Sequence, residues 1–167
     1  MLYYVTGGER SGKSRYAMQL ALELSDSPIY IATSRKWDED FQNRVDRHIK
    51  ERDERWSTIE EEKEIGSLDL ENKVAIIDCV TLWLTNFYID TQYNVADSLA
   101  KAKEQIDKLL LKNAKIIIIS NEIGMGVHAE TEIGRKFVEL QGWANQYIAS
   151  KAEHAVFMVS GLPLTLK

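Results

Sequence analysis

Short apolar runs alternate with longer amphipathic segments along the chain. Five runs, rich in β-branched and aromatic residues, predict strands at residues 2–5, 28–33, 73–78, 114–120 and 154–160. Because these runs are nearly continuous rather than alternating, they are typical of parallel strands buried on both faces. The segments between them predict helices at about 13–24, 38–55, 96–113 and 131–151. The pattern therefore predicts an α/β protein.

Composition narrows the class of protein. A chain of 167 residues with two prolines, nine glycines and no low-complexity linker predicts a single domain over 1–167. The net charge of -5 argues against a nucleic-acid partner, which is usually bound by a basic surface. No apolar run is long enough to predict a membrane span. The single cysteine, Cys79, permits no internal disulfide, so we expect a reducing, cytoplasmic location.

The clearest chemical signal is the sequence GGERSGKS at residues 7–14, which we call the phosphate loop. A predicted strand leads into it and a predicted helix leaves it, as in P-loop proteins. Its glycines allow backbone N–H groups to approach phosphate oxygens, Lys13 would reach the β and γ phosphates, and Ser14 would ligate Mg²⁺. The alternative is a glycine turn that merely caps a helix. The predicted phosphate-binding residues are Gly7, Gly8, Glu9, Arg10, Ser11, Gly12, Lys13 and Ser14.

These features together predict a P-loop NTPase-like (RecA-like) fold, in which a mostly parallel sheet is flanked by helices. In such a sheet the carboxyl end of a strand next to the loop supplies a second magnesium ligand. Asp78 ends the run AIID and is the first candidate, and Glu122 is a weaker one. The alternative is that Asp78 merely caps the N-terminus of a helix or lies in a turn.

A second signal lies in the highly charged segment 35–64. His48 and Arg52 fall on the same helical stripe as Phe41, Val45 and Ile49, although the rest of the predicted helix is charged. A neutral imidazole can attack an α-phosphate, and an arginine can stabilise the charge that develops. The alternative is a histidine that is simply hydrogen-bonded in the core, and spacing does not decide between the two.

The chain resembles the bifunctional adenosylcobinamide kinase/adenosylcobinamide-phosphate guanylyltransferase family of cobalamin biosynthesis. The resemblance covers nearly the whole chain and is carried by VTGGERSGKSR (5–15), YIATS (30–34), RVDRHIKERDERW (44–56) and SNEIGMG (120–126). It implies two reactions at one site. The first transfers the γ-phosphate of ATP or GTP to a hydroxyl of adenosylcobinamide. The second transfers GMP from GTP, through a GMP-histidine intermediate, to adenosylcobinamide phosphate.

The resemblance also implies roles for particular residues. In the family, the histidine stands four residues after an arginine and eight before a tryptophan, as His48 does between Arg44 and Trp56. His48 is thus implied as the catalytic nucleophile. The implied nucleotide contacts beyond the phosphate loop are Ala32, Thr33, Ser34, Ile49, Lys50, Glu51, Arg52, Glu60 and Asp78, with Ser14 and Asp78 at Mg²⁺.

This chain departs from the family pattern just after the histidine. Members carry a lysine, an acid, a glycine and an arginine there, and of these only Arg52 matches in place. The family also forms trimers, which implies a homo-oligomer, and the apolar stretch WLTNFYI (83–89) is a candidate interface. Two alternatives remain: a P-loop kinase with only one of the two activities, and a non-catalytic nucleotide-binding switch.

Overall fold

The computed structural model describes residues 1–35 and 53–167. Its strands are β1 (Leu2–Gly7), β2 (Ile29–Ala32), β3 (Ser57–Glu60), β4 (Val74–Asp78), β5 (Lys115–Ile119), β6 (His154–Val159) and β7 (Leu162–Thr165). Its helices are α1 (Lys13–Leu24), α2 (Val80–Asp90), α3 (Val95–Leu110) and α4 (Glu132–Lys151). Short 3₁₀ turns lie at Ile65–Ser67 and Ile123–Met125. The predicted helix at 38–55 lies mostly outside the described residues, and its last three residues form a turn rather than a helix.

The strands form one seven-stranded sheet in the order β3-β2-β4-β5-β1-β6-β7. Every neighbouring pair is parallel except β6 and β7, which are antiparallel. All five predicted strands are present. The predicted α/β class with a mostly parallel sheet is therefore confirmed.

Helices cover both faces of the sheet, as the continuous apolar runs predict. On β5, Ile117 and Ile119 face the layer of α1, whereas Ile116 and Ile118 face the layer built by α2, α3 and α4. All four isoleucines are almost completely buried. Two apolar layers therefore enclose the central strands.

Helix α2 corrects one expectation. The stretch 83–89 is not an exposed interface, because Trp83, Leu84, Phe87 and Tyr88 are buried in the core of this chain. The stretch is apolar on nearly all sides because neighbouring helices and the sheet enclose it, and an enclosed helix carries no polar face. Among the described residues, no helix is both long and apolar enough to cross a membrane.

Candidate active site at the carboxyl edge of the sheet

The phosphate loop joins β1 to α1 with a backbone that requires glycine. Gly12 stands just before the first turn of α1 with φ 94°, a left-handed conformation that side chains oppose. A Cβ on Gly7 would lie 2.7 Å from the carbonyl oxygen of Met158 in the adjacent strand. Outside this tight core, Gly8, Glu9 and Arg10 are exposed. The loop is thus packed on the protein side and open on the solvent side.

Two buried polar side chains of the loop lie where a phosphate would bind. Lys13 is only 8% exposed, and its ammonium donates to the carbonyl of Gly8 at 2.6 Å. Burial lowers the pKa of Lys13, an effect that the nearby Glu9 partly opposes. The Ser11 hydroxyl is also buried and has no hydrogen-bond partner in the described part of the chain. A lysine and a free hydroxyl at the N-terminus of a helix match the chemistry of a phosphate site.

Asp78 lies beside the loop, as its position at the end of an apolar run predicts. The Ser14 hydroxyl donates to its Oδ2 at 3.1 Å, and the Tyr30 hydroxyl donates to the same oxygen at 2.6 Å. A hydroxyl and a carboxylate from separate elements form a pair of hard oxygen ligands, which fits Mg²⁺ in a site completed by substrate phosphates. Across residues 1–35 and 53–167, no group of three or more His, Cys, Asp or Glu side chains suggests a metal site built from protein ligands alone.

Three of the predicted nucleotide contacts occupy one row at the edge of the sheet. Ala32 on β2 is in register with Glu60 on β3 and with Asp78 on β4. The next residue, Thr33, is held by its N–H, which donates to the carbonyl of Asp78 at 3.1 Å, and by its hydroxyl, which donates to the carbonyl of Cys79 at 2.9 Å. Ser34 follows and is half-buried. The row extends the site away from the phosphate loop.

Glu122 lies on the opposite side of Asp78 from that row, just after β5. Its N–H donates to the carbonyl of Gly7 at 3.1 Å, which joins it directly to the loop. Its Oε1 accepts from the Thr6 hydroxyl at 2.7 Å, from the Asn145 amide at 3.1 Å and from the Tyr4 hydroxyl at 3.4 Å. The sequence pointed to Glu122 only weakly, because these partners come from two distant elements.

Other contacts around the loop were also missed from sequence. Tyr30 and Asn145 carry no motif of their own, although Tyr30 lies in the family-matching stretch YIATS (30–34). Gly161, with φ 83°, lies in the turn between β6 and β7, and its N–H donates to the carbonyl of Ser11 at 3.0 Å. Such contacts depend on tertiary packing, which local spacing does not reveal.

The proposed nucleophile and its neighbours, His48, Ile49, Lys50, Glu51 and Arg52, lie outside the described residues. The two histidines that are described differ in setting: His128 is exposed in a loop, and His154 stacks on Tyr3 with ring centroids 4.8 Å apart.

Solved structures share the fold of this chain. Flagellar accessory protein FlaH from Methanocaldococcus jannaschii matches 99% of this chain and 77% of its own, with a TM-score of 0.50 and 17% identity. A KaiC-like protein from Pyrococcus horikoshii OT3 matches 93% of this chain and 69% of its own, with a TM-score of 0.52 and 12% identity. At such low identity these matches show the fold alone, and they confirm the predicted P-loop NTPase-like class.

Similarity in sequence is much closer to a set of biosynthetic enzymes. The bifunctional adenosylcobalamin biosynthesis protein CobP of Pseudomonas aeruginosa is 36% identical over 98% of this chain and 95% of its own. The corresponding CobU proteins of Escherichia coli and Salmonella typhimurium are 33% and 32% identical over the full length of both chains. The family model for cobinamide kinase / cobinamide phosphate guanyltransferase matches residues 3–166. The chain therefore belongs to the CobU family of cobinamide kinase / cobinamide phosphate guanyltransferase enzymes, as the resemblance predicted.

Proposed function

We propose that this enzyme carries out both reactions of its family at the carboxyl edge of the sheet. It would phosphorylate adenosylcobinamide with ATP or GTP, and then transfer GMP from GTP to adenosylcobinamide phosphate to give adenosylcobinamide-GDP. The observation that carries the proposal is the hydrogen bond between Ser14 and Asp78, 3.1 Å long, which joins the phosphate loop to the end of β4. It joins the groups that would bind phosphate and magnesium in a chain of this family.

In the kinase reaction, the N–H groups of the phosphate loop and the Lys13 ammonium would bind the β and γ phosphates. The bond between the γ-phosphorus and the bridging oxygen breaks, and a bond to the corrinoid hydroxyl oxygen forms. Ser14 and Asp78 are the residues that would hold Mg²⁺, which when bound neutralises charge on the phosphates. The lowered pKa of Lys13 has burial as its main cause, so an anionic phosphate would restore favourable surroundings for the ammonium.

In the second reaction, His48 would attack the α-phosphorus of GTP. A nitrogen–phosphorus bond forms, the bond between the α-phosphorus and its bridging oxygen breaks, and pyrophosphate leaves. The phosphate loop would then bind the leaving pyrophosphate. Transfer of GMP from the histidine to the phosphate of the corrinoid completes the reaction and regenerates the imidazole.

The remaining nucleotide contacts are part of the same proposal. The base or ribose of the nucleotide would contact the residues that extend the row beyond Asp78, which are Ala32, Thr33, Ser34 and Glu60. The family resemblance also implies nucleotide contacts from the four residues after the nucleophile, Ile49, Lys50, Glu51 and Arg52.

We also propose that residues 1–167 act as one domain in a homo-oligomer, a trimer by family resemblance. One supporting feature is the edge strand β7, on which Leu162 and Leu164 are 71% and 55% exposed. A molar mass equal to that of the monomer, measured by light scattering at micromolar concentration, would contradict the oligomer.

A cytoplasmic location is proposed because the single cysteine, Cys79, is buried and unpaired.

GTP labelled on its α-phosphate tests the guanylyltransferase half of the proposal. We expect the wild-type protein to retain the label in an acid-labile, base-stable adduct, as phosphoramidates do. His48→Ala should lose the adduct but still phosphorylate adenosylcobinamide. His128→Ala is the matched control and should label normally, because His128 is an exposed loop residue.

The same assay separates the alternatives. An adduct that survives in His48→Ala would show that the nucleophile is another residue. A wild-type protein that phosphorylates the corrinoid without forming any adduct would be a kinase with one activity. A protein that binds nucleotide but performs neither reaction would be a switch.

A further inference from the structure

Glu122 occupies a central position that the proposed function has not yet used. Strand β5 lies between β1, which leads into the phosphate loop, and β4, which ends at Asp78. Glu122 follows β5 closely, and its N–H donates to the carbonyl of Gly7 at 3.1 Å. Its carboxylate therefore belongs to the edge of the sheet between the phosphate loop and the proposed magnesium ligands.

The structure holds this carboxylate by one oxygen. Oε1 accepts hydrogen bonds from Thr6, Asn145 and Tyr4, all of them neutral donors. Among the residues described, no donor binds the other oxygen, Oε2. The side chain is half-buried, so it is fixed in place yet reachable from the edge of the sheet. An acceptor that is held on one side and open on the other suits proton transfer from a bound substrate.

The partner Asn145 is itself fixed by a buried network on α4 and β5. Its Oδ1 accepts from the Ser120 hydroxyl at 2.6 Å and from the Gln141 amide at 3.0 Å. These contacts leave the Asn145 amide group to donate to Glu122 and to the carbonyl of Asn121. The network thus determines which face of Asn145 meets the carboxylate, and so fixes the orientation of Glu122.

The kinase reaction requires a proton acceptor, and four of the described side chains around the loop, Lys13, Ser14, Tyr30 and Asp78, are poorly suited to be one. Lys13 is a cation, and the hydroxyls of Ser14 and Tyr30 donate hydrogen bonds to Asp78. Asp78 is occupied by those two donors and by its proposed metal role. A corrinoid hydroxyl that attacks the γ-phosphorus must lose its proton, and a carboxylate is the usual acceptor in such sites.

We propose that Glu122 is a catalytic residue of the kinase reaction, the general base for the attacking hydroxyl. As the oxygen–phosphorus bond forms and the bond to the bridging oxygen breaks, the hydroxyl proton moves to Oε2 of Glu122. The nucleoside diphosphate leaves, and the proton later passes to solvent. This inference rests on the proposed function and deepens it by assigning the proton.

The guanylyltransferase reaction provides an internal comparison. The imidazole of His48 attacks with its lone pair, and the corrinoid phosphate that later receives GMP is an anion. Neither step removes a proton from a substrate hydroxyl. A general base for the hydroxyl is therefore needed in only one of the two reactions, whereas the phosphate loop is needed in both.

The test is Glu122→Gln in the full-length protein, with Glu139→Gln as the matched control. The amide side chain of E122Q keeps an oxygen that accepts the hydrogen bonds now made to Oε1, but it is not a base. Glu139 is exposed on α4. We expect E122Q to lower kcat for corrinoid phosphorylation by about 100-fold to 10,000-fold, the usual contribution of general-base catalysis. The KM for nucleotide and the rate of GMP-adduct formation should stay at the wild-type level, and E139Q should match wild type throughout.

A pH profile adds a second readout. The dependence of log kcat for phosphorylation on pH should differ between wild type and E122Q, and should not differ between wild type and E139Q, because only E122Q removes the proposed base. Equal loss of phosphorylation and adduct formation in E122Q would show that Glu122 supports the whole site, which would refute the base. Unchanged phosphorylation in E122Q would also refute it. A wild-type protein that phosphorylates no corrinoid hydroxyl would instead refute the proposed function itself.

Discussion

Replacing Gly12 with alanine should weaken both the fold and the nucleotide site. A non-glycine residue at φ 94° costs roughly 1–2 kcal/mol in backbone strain. The new Cβ would also lie 3.2 Å from the Cα of Gly161, so the loop or the β6–β7 turn must move by a few tenths of an ångström. We expect a total cost of about 2 kcal/mol, which lowers the midpoint of thermal unfolding by about 4–8 °C for a chain of this size.

Gly142→Ala is the matched control for this substitution. Gly142 lies within α4, and a Cβ there would meet no atom within 4 Å. Alanine at a helical position is favoured over glycine by roughly 0.5–1 kcal/mol, so this variant should unfold at a slightly higher temperature than wild type.

Calorimetry gives both the unfolding temperatures and the nucleotide affinities. Because the N–H groups of the loop are proposed to bind the phosphates, a displaced loop in G12A should weaken GTP binding by about tenfold, equal to a loss of ~1.4 kcal/mol. If G12A unfolds at the wild-type temperature and binds GTP with wild-type affinity, the backbone strain assigned to alanine at this position would be refuted. A drop of the same size in G142A would show that the effect does not depend on the position of the glycine.

Three further predictions concern groups away from the loop. The Arg35 guanidinium, and then the Lys63 ammonium, hold the pKa of Asp90 well below its ordinary range, so these ion pairs stabilise the fold above the pKa that Asp90 has in the unfolded chain. That stability is lost as pH falls through the pKa of Asp90 in the folded protein. In urea unfolding at pH 7, the free energy of unfolding of Asp90→Asn should lie within about 1 kcal/mol below that of wild type, and the difference should vanish in strong acid. Burial raises the pKa of the Cys79 thiol to about 12, so a thiol reagent at pH 8 should label the unfolded protein and not the native one, and rapid native labelling would contradict the burial. Thr131 caps α4 by accepting from a backbone N–H at 3.0 Å, so Thr131→Ala should lower the free energy of unfolding by about 1 kcal/mol in denaturant titration, and an unchanged midpoint would count against the cap.

The parts of the fold that the sequence predicts are those with a strong periodic signal. The five runs of continuous apolar residues became parallel strands because both of their faces are covered, so nearly every side chain had to be apolar. Strands β3 and β7 were missed for the opposite reason. Each lies at an edge of the sheet, β3 is mostly exposed, and β7 contains Pro163, which is tolerated only where no N–H is required.

The candidate site shows the same division. The spacing of glycines, Lys13 and Ser14 identifies the phosphate loop, because backbone geometry there follows from local sequence. Asp78 was found from its position at the end of an apolar run. The hydrogen bonds that orient its neighbours join residues far apart in the chain, such as Tyr30 to Asp78 and Asn145 to Glu122. They depend on strand register and helix packing, which no local pattern specifies.

The two carboxylates at the edge of the sheet have different surroundings, and this difference separates their roles. Asp78 receives hydroxyl donors from α1 and β2, on the side where the nucleotide row extends. Glu122 receives its donors from β1 and α4, on the side of Asp78 away from that row. If one site performs two reactions, groups that bind phosphate must serve both, while a group that moves one proton serves only one. Variants of Lys13 and Asp78 should therefore lose both phosphorylation and GMP transfer, whereas variants of Glu122 should lose phosphorylation alone. This difference between the two activities distinguishes the roles more clearly than the size of any single loss of activity.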